Sequence, residues 1–206
     1  MKEFSKGKIG LDRMLFFSDA VFAIAITLLA LELKVPIEST GGGELQLQQA
    51  LLGLIPTAIG FVVSFLLVGQ TWIEHHRIGE LLSGIDRGLL WWDLLLLLFV
   101  ASIPFATSLV SSHYASKTAV SLYATGFGLL GACKARFWHH AVRRGLVHAA
   151  GNVTREIGRR VGAAPIVSAV VIILALLGIP YSYVVFGAIP LVARILSDQR
   201  HYGRAT

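Results

Sequence analysis

"FFSDAVFAIAITLLALEL", Phe16 to Leu33, is apolar along nearly its whole length, yet Ser18 and Asp19 sit close to its start. A run of this length is what a helix needs to cross a hydrocarbon core about 30 Å thick. A carboxylate at the centre of such a helix costs about 2.5–3.5 kcal/mol on insertion scales, less near an interface, and normally faces a protein partner. The stretch therefore reads as a membrane span that turns its polar residues towards other helices. Cleavable signals have a shorter apolar core and a small-residue cleavage site. This run ends at Glu32 and Lys34, and reads as a retained span.

The rest of the chain agrees with that reading. Of its 206 residues 55% are hydrophobic and 15% charged, with a mean hydropathy of +0.70. A soluble domain would lack the polar surface to cover so much apolar material. Runs such as "LLWWDLLLLLFVASIPF" do not alternate, which excludes the short alternating segments of outer-membrane barrels. The expected class is an all-α integral membrane protein. Cys133 is the single cysteine, so there is no intrachain disulfide and no support for a cysteine enzyme.

Residues 1–206 read as one membrane domain with six spans, at about 14–35, 51–73, 88–111, 118–138, 163–179 and 181–197. "PIESTGGGELQLQQ", "EHHRIGELLSGIDR" and "SSHYASK" separate the first four, and "HHAVRRGLVHAAGNVTREIGRR" is a long basic stretch before the fifth. Only "GIPYS" divides the last two spans, so a re-entrant hairpin is the alternative there. With the N-terminus inside, every one of the 18 basic residues except Lys34 and Lys117 falls on the cytoplasmic side. Both termini are thus expected to be cytoplasmic. The same asymmetry explains the net charge of +6 without any nucleic-acid partner.

Helical phase divides the first span by role. At about 100° per residue, Val21, Ile24, Leu28, Leu31 and Val35 share one stripe with Thr27 at its edge, while Asp19 lies roughly 140° from Ile24. An apolar stripe alone equally suits lipid. Candidate partners for Asp19 at the same depth are Arg13, then Trp72, His75 and His76, then the Trp91-Trp92-Asp93 cluster. Indole and imidazole N–H groups satisfy a carboxylate without water.

"RMLFFSDAVFAIAITLL", from Arg13, resembles the Arg-x-x-x-Phe-Ser-Asp signature of the prokaryotic and endolysosomal FSD-motif potassium channels. "TWIEHHRIGELL" and "DRGLLWWDLLLLLFVASIPFATSL" are similar to that family's second and third spans. The resemblance covers about the first half of the chain. It implies a homotetramer of six-helix units in a prokaryotic plasma membrane, passing potassium ions through a pore lined by the first helix, with no cofactor. It also implies aliphatic constrictions in place of a carbonyl filter. By that resemblance Ile24, Leu28 and Leu31 form the constricting layers and Thr27 contributes to selectivity. Arg13, Phe17, Ser18 and Asp19 form the signature that anchors the helix, and Trp72, His75, His76 and Asp93, at the same depth, are the expected supporting network. Where relatives often carry Asn, this chain has Asp93, a second carboxylate that needs a cation or a proton.

Glu32, about 40° from Leu28 in helical phase, is a candidate acidic ring at the outer mouth, or else pairs with Lys34 or faces headgroups. "GFGLLG" at 126–131 matches a nucleotide-loop pattern, but lies inside a span with no preceding strand and reads as helix-packing glycine. His75-His76 and His139-His140 are adjacent pairs, unlike the i, i+4 spacing of helical zinc sites. No "TVGYG"-like filter, voltage-sensing arginine ladder, nucleophile–base pair or paired-glutamate metal motif is present in the sequence. A channel, not an enzyme, is expected. The rival is a proton-coupled transporter with a relay through Asp19, Asp93 and the histidines.

Overall fold

The structure, a computed structural model, describes residues 2–34, 43–179, 181–189 and 192, with side chains from Ile9 onward. Seven α-helices follow in order: α1 Lys2–Ala30, α2 Glu44–Gly53, α3 Ile55–Glu80, α4 Arg87–Ser112, α5 Lys117–Arg143, α6 Gly151–Arg160 and α7 Ala163–Leu176. A 3₁₀ helix, Ser182–Ala188, comes after them. Among the described residues there is no strand beyond one isolated bridge, between Leu82 and Val147.

Among the described residues, four segments are long and apolar enough to cross a membrane: Ile9–Ala30, Ile55–Glu80, Arg87–Ser112 and Gly151–Leu176. At 27 residues, α5 has the length too, but it carries Lys134 and Arg136 within it. It nevertheless sits between α4 and α7, burying Tyr123, Phe127 and Leu130. Of the expected sixth span at 181–197, residues 181–189 and 192 are described, and the element among them is the short 3₁₀ helix.

Three boundaries differ from the hydropathy reading. The second span breaks at Leu54, where Pro56 occupies the first turn of α3 and supplies no N–H to a preceding helix. Its other end runs on to Glu80 rather than stopping near residue 73. In the first span, α1 ends at Ala30, and Leu31, Glu32 and Leu33 donate to Leu28, Leu29 and Ala30 in a tighter i to i−3 pattern. The 100° step therefore no longer applies at Glu32.

α4 is central, packing against α1, α3 and α5. Lipid tails are as apolar as leucine, so packing and polar contacts rather than water exclusion hold such helices together. Close approach of α5 and α7 depends on small residues. A Cβ on Gly131 would lie 2.7 Å from the Ala164 Cβ, and one on Gly128 would lie 3.1 Å from the Ser168 Cβ. Gly126, by contrast, has nothing within 4 Å of such a Cβ.

At the basic end, the α3–α4 and α5–α6 connections clasp each other. Ser83 N donates to the Leu146 carbonyl at 2.8 Å, and His148 N to the Leu81 carbonyl at 3.1 Å. Gly145 makes the turn into this clasp at φ +67°, a conformation L side chains avoid. Asp86 N-caps α4 by accepting from Leu89 N at 2.7 Å, and His140 Nε2 lies 2.9 Å from the same oxygen. Partial burial pushes the Asp86 carboxyl up. The Leu89 amide, His140 and Arg144 outweigh it and hold the group below the usual aspartate range. A carboxyl with a depressed folded value stabilises fully above its unfolded value and loses that contribution as pH falls through the folded one. Asp86→Ala is expected to cost about 1 kcal/mol at neutral pH. The difference from the parent should shrink in thermal melts run at successively more acid pH.

Candidate functional site: the first helix and its polar anchor

One face of α1 is built to stay inside the subunit. Leu11, Met14, Ser18, Phe22, Ala25 and Leu29 follow one another at three- and four-residue steps, and all are buried against the bundle. Phe22, Ala25 and Leu29 are 1%, 1% and 0% exposed, whereas Ile24, Leu28 and Leu31 are 59%, 41% and 60% exposed. Thr27 is exposed beside them, its Oγ1 donating back to the Ile24 carbonyl at 2.8 Å. Helix α1 thus has a second apolar face with no partner among the described residues. Val35 lies outside the described residues.

A layer of polar groups near the basic end fixes which face points where. Ser18 Oγ lies 2.8 Å from Asp93 Oδ2 on α4 and 2.9 Å from the Met14 carbonyl. His75 on α3 brings Nε2 to 3.3 Å from Asp93 Oδ1, short of a well-aligned hydrogen bond, and its ring sits between Phe22 and Phe137. Asp19 Oδ1 accepts from Trp72 Nε1 at 2.8 Å. His76 stacks on that indole and approaches Glu80 at 3.6 Å. Three helices are tied together within one turn of α1.

Two sequence candidates stand outside the layer. Arg13 and Phe17 are exposed, and among the described residues Arg13 makes no ion pair. Trp72, not Arg13, takes Asp19. In helical phase Arg13, Phe17 and Ile24 fall within about 40° of one another, so Arg13 and Phe17 share the unpartnered face. Glu32 is half-buried, and among the described residues no ion pair joins it to Lys34.

Asp93 is buried, so its charge must be balanced locally. Two arrangements do so. A proton on Asp93 lets the carboxyl donate to Ser18, whose own proton then serves Met14. A proton on His75 makes an ion pair instead. Asparagine reproduces the first arrangement in shape and charge. Asp93→Asn is therefore expected to fold and assemble like the parent, while Asp93→Leu strands Ser18 and His75 and costs about 1–3 kcal/mol. Size-exclusion profiles and thermal melts of the two variants check this.

Two polar clusters have no counterpart in the residue-by-residue reading. Lys134 of α5 is buried and ion-paired with Glu74 of α3, whose other oxygen accepts from Gln70 at 3.1 Å. Deeper in the bundle Thr107 Oγ1 donates to Ser64 Oγ at 2.7 Å, and Ser64 Oγ lies 2.8 Å from the Tyr123 hydroxyl. Among the described residues no group of three His, Cys, Asp or Glu is placed to hold a metal ion.

Long apolar helices joined by buried polar ties define a multi-pass membrane protein. Residues 13–104 match the family model described as the endosomal/lysosomal potassium channel TMEM175. A crystal structure of a lysosomal potassium-selective channel TMEM175 homolog from Chamaesiphon minutus superposes with a TM-score of 0.75 at 30% identity, covering 92% of this chain and 97% of that one. The chain belongs to the TMEM175 potassium-channel family.

Among curated relatives, a protein named potassium channel from Chamaesiphon minutus is 40% identical over 132 residues, 61% of this chain and 63% of that protein. Another of that name, from Streptomyces collinus, is 37% identical over 133 residues, 63% of each chain. These matches span just under two thirds of the relatives' length. A variant of the potassium channel MtTMEM175, at 16% identity and a TM-score of 0.62, shares the fold.

Proposed function

We propose that four copies of this chain form a potassium-permeable channel in a prokaryotic plasma membrane, with α1 lining the central pore. The observation that carries this reading is the unpartnered stripe of Ile24, Thr27, Leu28 and Leu31, on a helix whose rotation is fixed by buried ties on the opposite side. Brought together on an axis, aliphatic rings make a constriction that excludes water when narrow and passes a partly hydrated ion when modestly widened, a device known in channels. Ile24, Leu28 and Leu31 are the constricting layers in this account, and Thr27 faces the same lumen. Ser18 and Asp19 do not touch the ion. They set the angle at which the stripe meets its copies. Arg13 and Phe17, on the same side of the helix, join neighbouring subunits near the basic end, which is cytoplasmic by its charge. Six spans with both termini inside complete the topology.

Potassium flux into liposomes tests the reading. A channel gives flux that does not saturate with concentration and changes in Ile24→Ala. The buried Asp93–His75 contact favours a second reading, a proton-coupled carrier, because it supplies a transferable proton. A carrier gives slow, saturable, proton-linked flux, which Asp19→Asn abolishes while assembly persists.

A further inference from the structure

We propose that the cavity between α3 and α6 binds a phospholipid whose headgroup carries both a phosphate and a primary ammonium group. The cavity has a volume of about 240 Å³. At about 30 Å³ per water molecule, that is the share of some eight waters, enough for a headgroup but not for acyl chains. Ile78, Leu81, Val153, Ile157 and Val161 form its apolar floor. Its rim carries both signs of charge, Arg77 and Arg160 against Glu80 and Glu156.

The rim charges are incompletely spent. Arg160 pairs with Glu156 at 2.6 Å, yet its buried Nε has no hydrogen-bond partner. Arg77 makes no ion pair among the described residues, and Glu80 has only His76 at 3.6 Å. Glu74, which also borders the cavity, is already committed to Lys134 and Gln70. Guanidinium groups are suited to phosphate oxygens. The rim carboxylates then need N–H donors. A primary ammonium supplies them, a quaternary ammonium has none, and a purely anionic headgroup meets two carboxylates.

Depth agrees. All 4 tryptophans, Trp72, Trp91, Trp92 and Trp138, lie at this end of the bundle, and tryptophan gathers at the headgroup level. Arg77 is five residues beyond Trp72 on α3, about 7.5 Å along the axis, which places the rim in the headgroup layer. The inference rests on membrane placement alone and is independent of what the protein conducts.

The test is to recover the full-length protein in mild detergent from vesicles of equal phosphatidylethanolamine, phosphatidylglycerol and phosphatidylcholine, and to identify retained lipid by mass spectrometry. Phosphatidylethanolamine is expected to be enriched about threefold or more over the other two. Arg77→Ala, which removes a rim cation, and Ile157→Trp, which fills the floor, should each return retained lipid to the bulk ratio with the oligomer unchanged. If one variant fails to fold, the other decides. Retention at the bulk ratio in the parent overturns the proposal. So does phosphatidylglycerol in excess, or enrichment that survives in a folded variant.

Discussion

Lys134→Met is expected to destabilise the folded chain by about 3–5 kcal/mol, and adding Glu74→Gln to return most of that loss. The single change keeps the side chain's length but leaves the largely buried Glu74 carboxylate without its cation. The double change removes both charges and keeps the contact from Gln70 within reach. The pair also relieves the penalty that a lone lysine in a membrane helix carries. Denaturant titration in micelles of the parent, both single variants and the double variant gives the coupling directly. A single-variant loss below about 1 kcal/mol would match an exposed pair instead.

Leu28→Asn is expected to raise basal potassium leak through the reconstituted oligomer by at least about tenfold, equivalent to about 1.4 kcal/mol off the barrier. In the proposed tetramer an amide in each of four subunits offers hydrogen bonds to water at a ring that otherwise repels it, so the constriction stays wet at the same width. Position 28 is exposed on the single chain, and the substitution leaves Leu29 and the buried face intact. Folding should therefore be unaffected. Leak equal to the parent's, with normal assembly, would count against an apolar gate at this layer.

Hydropathy exposed the spans because a helix in lipid must be apolar over a fixed length, and α1, α3 and α4 follow that rule. It hid α5's depth. Lys134 reads as the start of a basic cytoplasmic run, and only its pairing with Glu74 across two helices shows that it belongs inside. The polar anchor was partly legible. Ser18, Asp19, Trp72, His75 and Asp93 were each set at one depth by span boundaries, but depth does not select partners. That Trp72 takes Asp19, while Ser18 takes Asp93, depends on rotations that no count of residues supplies. The Ser64–Thr107–Tyr123 ties left no signal, because isolated hydroxyl residues are common in membrane helices and only convergence makes them a network. At Glu32 the regular 100° phase does not hold, because the backbone tightens to an i to i−3 pattern past Ala30.

In the proposed pore, Ile24, Leu28 and Leu31 face a shared aqueous axis and not lipid. Single cysteines at these positions, in a chain whose buried Cys133 is replaced by alanine, test it through labelling of the intact oligomer in membranes. Water-soluble thiol reagents are predicted to modify positions 24, 28 and 31 and thereby block potassium flux, with lipid-phase reagents leaving them untouched. The opposite pattern, modification from the lipid phase and none from water, would contradict it.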